Sequence, residues 1–385
     1  MRILMATILD TKRDINGVTV SSGELARSLK NRSNVVGLVT PFTIPKNSTL
    51  LKILKLNGLF YRVSRSSFIT LNALLLKMLI IYIQIKRLKH NYEYFHSHDV
   101  FSAFACLKAT GSKKVNLLST HFHDKPSDEF VAAGFISKNS ITYWLINYIT
   151  IKTLKHNNLS LIPVSNYNHR FVNTQWNLKG DCQTETIYSG ISKKNNKTIS
   201  RNNFEYLINV GSINNRKNQI KLIEILAELH ELGSKISLIL VGLESKEEKE
   251  KIQRMIDELE LNSKIIFMGK QSIEKTRKLI ANAKLYVHSA KQESFGLTLI
   301  ESMAQKIPVL ACEYEAVHEI LDEDAIIQSD WNPSKAAKHI YNFLINNTKR
   351  NQLQKKQYKH FLNNFTSDIM VKKYITLLKN SWRFA

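Results

Sequence analysis

Short apolar runs alternate with longer mixed stretches along the whole chain. In the first half the runs cover residues 2–8, 35–40, 94–98, 115–120 and 159–164. In the second half they cover 206–210, 236–241, 265–268, 285–288, 308–312 and 325–328. Runs of this length, bounded by Gly, Asn, Ser or Pro, predict strands. Residues 187–191 (IYSGI) add a short strand and turn. Helices are predicted over 22–29 and 140–156, then over 219–232, 246–261, 273–283, 295–306, 334–346 and 368–378. Strand, loop, helix, strand is the repeating unit of a parallel sheet. The fold class is therefore α/β, with two doubly wound, Rossmann-like domains facing a central cleft. The most polar stretch, KKNNKTISRNN at 193–203, is the predicted linker. It divides a first domain (1–192) from a second (204–365), and 366–385 forms a terminal helix expected to pack back on the first domain.

The longest apolar run, 68–85, is interrupted by Thr70, Asn72, Lys77 and Gln84. Its length suits a membrane span, but an interior lysine and asparagine favour a largely buried helix. Shallow insertion of the basic stretch before it, 51–65, into a bilayer surface is the intermediate reading.

Composition narrows the setting. A chain of 385 residues with 43% hydrophobic content has ample core for two or three domains. Cys106, Cys182 and Cys312 are odd in number and far apart, which points away from a disulfide framework or zinc site and fits a reducing cytosol. MRILMATILD at the N-terminus has the pattern of a strand, not of a signal peptide. The net charge is +23, and residues 1–190 hold 24 Lys and Arg against 10 Asp and Glu. No acidic residue lies between Glu24 and Glu93, where twelve basic ones do. A field of one sign attracts polyanions, either nucleic acid or an anionic membrane surface.

The chemistry concentrates in KLYVHSAKQESFGLTLIESMAQKIPVLACEYEAVHE, 284–319. A strand leads through a polar turn into a helix, and ligands bind such sheets where strands end and helices begin. With Ser294 as N-cap, the amides of Phe295, Gly296 and Leu297 form an anion site. Glu293 sits on its lip, and Glu301 lies two turns further in on the same face, where carboxylates accept hydrogen bonds from sugar hydroxyls. One anion site between two carboxylates describes a sugar-nucleotide pocket. A second element, Gly211–Asn218 (GSINNRKN), also joins a strand to a helix, and its Arg216 and Lys217 are placed to neutralise a diphosphate. In the first domain, Gly17 lies in a loop where it either lets the backbone approach a phosphate or simply makes a turn. His-Ser-His-Asp at 96–99 and His-Phe-His-Asp at 121–124 end two strands. Their spacings match no zinc pattern, so these histidines are expected to face a ligand or cap strands.

At 293–319 the chain resembles the E-x7-E motif of retaining GT-B glycosyltransferases, family 4 (glycosyl transferases group 1); the resemblance extends to VGSINNRKN, LILVG and KIIFMG in the second domain and, more loosely, to NGVTVSSGELARSL, FHSHD, LSTHFHD, PVSN and IYSGI in the first. That resemblance implies transfer of a hexose from a nucleotide sugar, expected to be a UDP-sugar, with retention at the anomeric carbon. It implies that Glu293 holds sugar hydroxyls near the reacting carbon and Glu301 the ribose. Phe295, Gly296, Leu297 and Thr298 would meet sugar and diphosphate through their backbone, Lys217 and Arg216 would bind the diphosphate, and Gly17 would lie on donor phosphates or acceptor. His121 or His123 would contact the sugar. No metal or other cofactor is implied, since cationic side chains and helix dipoles take the leaving group's charge. Ser212 stands where the family often has Arg, and Asn16-Gly17 where it has Gly-Gly.

The charge asymmetry turns this into an expectation of a cytoplasmic enzyme, peripheral on the inner face of the cell membrane. Its acceptor would be a lipid-linked or cell-envelope glycan. A nucleic-acid-binding protein on a nucleotide-binding scaffold is the alternative from another class. It rests on a pI near 9.7 and lacks both a recognisable module and aromatic interleaving, so no nucleic-acid partner is expected. A same-fold transferase with a soluble acceptor is the remaining alternative.

Overall fold

The computed structural model describes residues 1–11, 16–45, 47–63, 66–111, 114–178, 184–193, 204–244 and 246–381. The chain divides into two units, Met1–Gly190 with Ser367–Ala385, and Ile191–Thr366. The predicted linker, 193–203, lies outside the described residues except for residue 193, as does Cys182.

The first unit runs β1 (Arg2–Ala6), α1 (Gly17–Lys30), β2 (Val35–Val39), α2 (Thr49–Val63), α3 (Ser67–Leu88), β3 (Tyr94–Ser97), α4 (Val100–Thr110), β4 (Val115–Thr120), α5 (Pro126–Ala132), α6 (Ile141–Leu154), β5 (Leu159–Pro163) and α7 (Asn166–Trp176). Its five strands are all parallel, in the order β2-β1-β3-β4-β5. Alternate strand residues feed two cores. Leu4, Ala6, Phe95 and Leu118 face a core completed by α3, α4 and α6. Ile3, Met5, Tyr94 and Leu117 face the other way, onto Leu25 and Leu29 of α1. Asp99 shows how the sequence ties these layers: its carboxylate caps α4 at Ser102 (2.7 Å) and accepts the Ile8 amide (2.9 Å) across the end of β1.

The second unit runs β6 (Tyr206–Val210), α8 (Gln219–Glu231), β7 (Ser237–Val241), α9 (Lys246–Glu258), β8 (Ile265–Phe267), α10 (Ile273–Ala281), β9 (Leu285–His288), α11 (Leu297–Ala304), β10 (Val309–Cys312), β11 (Ile326–Ile327), α12 (Pro333–Ile345) and α13 (Asn347–Asn364). The six strands are again parallel, ordered β11-β10-β9-β6-β7-β8. Gly242 is required by contact, because a Cβ there would lie 1.9 Å from the Gly211 carbonyl oxygen. Beside β10, the buried amide of Gln357 accepts from the Val309 amide and donates to its carbonyl, both at 2.8 Å. The chain then returns to the first unit as α14 (Ser367–Ser381), whose Met370, Val371, Tyr374 and Leu377 share the core of Leu25 and Leu29.

Four expectations are corrected. Helix α1 begins at Gly17, five residues early, because Asn16 and Thr19 form a reciprocal capping box. Helix α3 is only about one-third buried over its most apolar window rather than largely buried, and it is long and apolar enough to cross a membrane by length and composition. Residues 187–191 form no strand; Ile191 makes an isolated bridge to Thr366, and the Ile187 amide donates to the Pro163 carbonyl (3.0 Å). Helix α13 was not foreseen; its charged and amide-rich sequence, NTKRNQLQKKQYKHFLNN, hides a sparse buried stripe of Leu353, Gln357 and Phe361.

Candidate active site

In the second unit β6 lies between β7 and β9, so successive crossovers leave β6 in opposite directions. The loops after β6 and β9 therefore emerge side by side at the carboxyl edge of the sheet, the place where such folds bind ligands. Four hydrogen bonds lace them together. The Lys291 amide donates to the Arg216 carbonyl (2.9 Å) and Ser289 Oγ to the Lys217 carbonyl (2.7 Å). The Arg216 guanidinium donates to the Gln292 carbonyl and Lys291 Nζ to Asn215 Oδ1, both at 3.0 Å. This lacing brings Glu293 onto the two cations of the other loop: Oε2 is 3.2 Å from Arg216 Nη1, and Oε1 is ion-paired with Lys217 Nζ.

Burial, and then the Arg216 guanidinium beside it, hold Lys217 down from its ordinary 10.5 to about 7. An anion at its side favours the charged form, and Glu293 is the one paired with it. His288, the last residue of β9, is fully enclosed with Nε2 3.6 Å from Glu293. Burial and the two nearby cations push it well below its ordinary value, so it is neutral. His288 went unnoticed in the sequence; a polar residue closing an otherwise apolar strand was the available signal.

The helix mouth differs from expectation. Gly296, not Ser294, is the N-cap of α11, with φ 119°. A Cβ at Gly296 would meet the Tyr314 hydroxyl at 2.5 Å, so glycine is demanded by both conformation and contact. The helix begins at Leu297, and the amides of Leu297 and Thr298 lie ahead of its internal ladder. Glu301 is consequently one turn inside rather than two. It lies near the buried Tyr286 hydroxyl, which also bonds the Thr298 side chain. Phe295 turns its ring inward against Phe365 (5.7 Å), while its carbonyl accepts from Tyr314 (3.2 Å).

The first unit gathers a different set at the ends of β3 and β4. His96 Nε2 bonds Ser119 Oγ at 2.8 Å, and its ring lies 4.3 Å from His98 and 5.1 Å from Tyr374. His121 is 6.2 Å beyond His98. Both ring nitrogens of His98, Nε2 of His121 and the Tyr374 hydroxyl are enclosed without a hydrogen-bond partner. Burial lowers His96 to about 3 and His121 to about 4, and puts His98 well below its ordinary value. A cavity of about 20 Å³, enough for one water, lies among His96, His98, Ser119, Ser21, Ser189 and Tyr374. His123 does not join this cluster. Its Nδ1 pairs with Glu129 at 2.9 Å. Gly17 opens α1 at an exposed position where a Cβ would touch nothing within 4 Å. Among the described residues, no group of three or more His, Cys, Asp or Glu is arranged to hold a metal ion.

Two parallel α/β units with loops of this kind define the GT-B fold, and solved structures bear this out along the whole chain. The chain aligns with HepE of Anabaena, solved with UDP and glucose, at a TM-score of 0.70 and 15% identity, covering 99% of this chain and 100% of that one. It aligns with WaaG, a glycosyltransferase involved in lipopolysaccharide biosynthesis, at 0.67 and 13%, covering 96% and 98%. In sequence, residues 191–360 match the family model described as glycosyl transferases group 1. Among curated proteins, the serotype-specific mannosyltransferase WbdA of Escherichia coli is 28% identical over 137 residues, 36% of this chain but only 17% of WbdA.

Proposed function

We propose that this chain is a retaining, family 4 glycosyltransferase. It moves a hexose from a UDP-sugar to a lipid-linked or cell-envelope glycan acceptor at the cytosolic face of the membrane. The observation that carries the reading is the Arg216–Lys217–Glu293 cluster at the point where strand order reverses in the second unit. WbdA and the UDP-bound HepE support the sugar-transfer and UDP parts, and WaaG the envelope acceptor.

Departure of a nucleoside diphosphate develops negative charge, and Arg216, Lys217 and the Leu297 and Thr298 amides are the groups that meet it. These cations supply that stabilisation without a metal, so turnover persists in EDTA. At present Glu293 serves as their counter-ion. A bound diphosphate takes its place, and the released carboxylate turns to the sugar hydroxyls beside the reacting carbon. Glu301 holds the ribose. His121, neutral and at a strand end, is the histidine assigned to the sugar, and His123 is left to its Glu129 partner. Attack from the face the diphosphate leaves gives retention.

The test needs no acceptor. A panel of sugar nucleotides is incubated with the protein and slow donor hydrolysis is followed. UDP-sugars are hydrolysed fastest and Glu293→Ala abolishes the signal; a panel without hydrolysis, or an unchanged variant, rejects the reading.

A further inference from the structure

Helix α6 breaks the usual rule that a helix at the surface turns its polar side to water. Its buried side is Thr142, Ile146, Ile149, Thr150, Thr153 and Leu154. Its outer side is Ile141, Trp144, Tyr148 and Ile151, spaced three, four and three apart and so aligned in one stripe. Ile141 is 82% exposed and Trp144 76%, among the highest values for large apolar side chains in the chain. The stripe continues onto its neighbour. Thr142 Oγ1 donates to the Ser67 carbonyl (2.8 Å) and Thr70 Oγ1 to the Phe135 carbonyl (2.9 Å), which pins the start of α3 beside the start of α6. Phe68, 68% exposed, follows Ser67, and the exposed Phe135 itself supplies the second carbonyl.

Charge identifies the occupant. Lys138, Lys152 and Lys155 are exposed along the stripe, and no acidic residue occurs between Glu129 and Asp181 or between Glu24 and Glu93. Helix α2, packed on α3 through Leu51, Leu54 and Ile80, also turns Leu56 and Phe60 outward next to Lys52 and Lys55. Aromatic and aliphatic side chains flanked by lysine match the interface of an anionic bilayer, and the nearby carboxylate, Asp128 of α5, is held by the Tyr143 hydroxyl at 3.0 Å. We infer that the α6 stripe, with the adjoining start of α3, is a docking surface that inserts Trp144 and Ile141 into an anionic lipid surface. This deepens the membrane clause of the proposed function and stands apart from its chemistry.

The experiment is co-sedimentation of the full chain with phosphatidylglycerol–phosphatidylcholine vesicles and with phosphatidylcholine alone. The wild type pellets with the mixed vesicles, is released by salt, and shows a blue-shifted emission that the Trp144→Phe variant lacks. Ile141→Asn combined with Trp144→Asn weakens partitioning by roughly 10-fold or more. The two side chains are exposed, so the melting temperature of the double variant stays at the wild-type value. Equal pelleting with both vesicle types, no pelleting, or a double variant that binds like wild type overturns the inference. So does concentration-dependent self-association that the double variant abolishes while vesicle binding is unaffected, which assigns the stripe to a second copy. No donor is present, so vesicle binding without sugar-nucleotide hydrolysis would leave this surface standing and reject only the enzymatic reading.

Discussion

The two units share an architecture and differ in what they place at the carboxyl edge of the sheet. The second unit gathers charge: Arg216 and Lys217 are met by Glu293 in a cluster that solvent reaches. The first unit gathers neutral imidazoles, His96, His98 and His121, with serine and tyrosine hydroxyls around a cavity of one-water size. Two parallel sheets of different strand order thus carry charged groups at one edge and neutral polar groups at the other. The difference lies in the partners. Among the described residues the buried imidazoles have no carboxylate paired with them and lose their charge, whereas Lys217, also pushed down by burial, is ion-paired with Glu293.

The sharpest way to break that contrast is to remove the counter-ion. Glu293→Gln lowers turnover about 100-fold or more. In the same variant UDP alone binds more tightly, on the order of 10-fold by calorimetry, because the cations no longer hold a carboxylate of their own. Parallel loss of UDP affinity would show that Glu293 is not in competition with the diphosphate. Next comes Arg216→Ala, which weakens UDP binding by roughly 10- to 100-fold, the usual worth of a charge-assisted phosphate contact. The corresponding His123→Ala change leaves UDP binding within about 2-fold, since that ring is committed to Glu129.

The neutral cluster gives a smaller, pH-dependent effect. His96, His98 and His121 have folded pKa values below the ordinary 6.5, so the unfolded chain takes up protons that the folded one refuses. Their contribution is complete above about pH 6.5 and is lost as the pH falls toward about 4, by up to about 1.4 kcal/mol per histidine per pH unit. Melting temperatures taken from pH 7.5 to 5 should fall, and His98→Met, which removes a ring without hydrogen bonds, should flatten the slope. A slope unchanged by that variant would mean His98 is not neutral in the fold.

Much of this was legible in the pattern of apolar runs. Strands β4, β6, β9 and β10 follow runs that contain almost no competing signal, and their order along the chain implied crossovers. The charged cluster was legible because each of two loops carried its own signal, Glu293 in one and Arg216 with Lys217 in the other. It was obscured where contacts decided. Ser294 has better intrinsic capping character than Gly296, but the Tyr314 hydroxyl leaves room only for glycine and shifts the helix start. The capping box at Asn16 and Thr19 was visible in principle, yet glycine at the first helical position argued for a loop. Helix α13 escaped because three buried residues in eighteen give almost no periodicity.

Gln357 carries a consequence of its own. Strand β11 is two residues long and pairs only with Ala311 and Cys312, so it leaves Val309 uncovered at the border of the sheet. One amide side chain occupies both backbone groups there. Gln357→Leu would orphan a buried donor and acceptor, costing about 1–3 kcal/mol in chemical denaturation. It would also open a short rung for a foreign strand to add to. The stabiliser doubles as a guard against intermolecular ladders, and the variant should reveal this as aggregation on mild heating before it reveals it as lost activity.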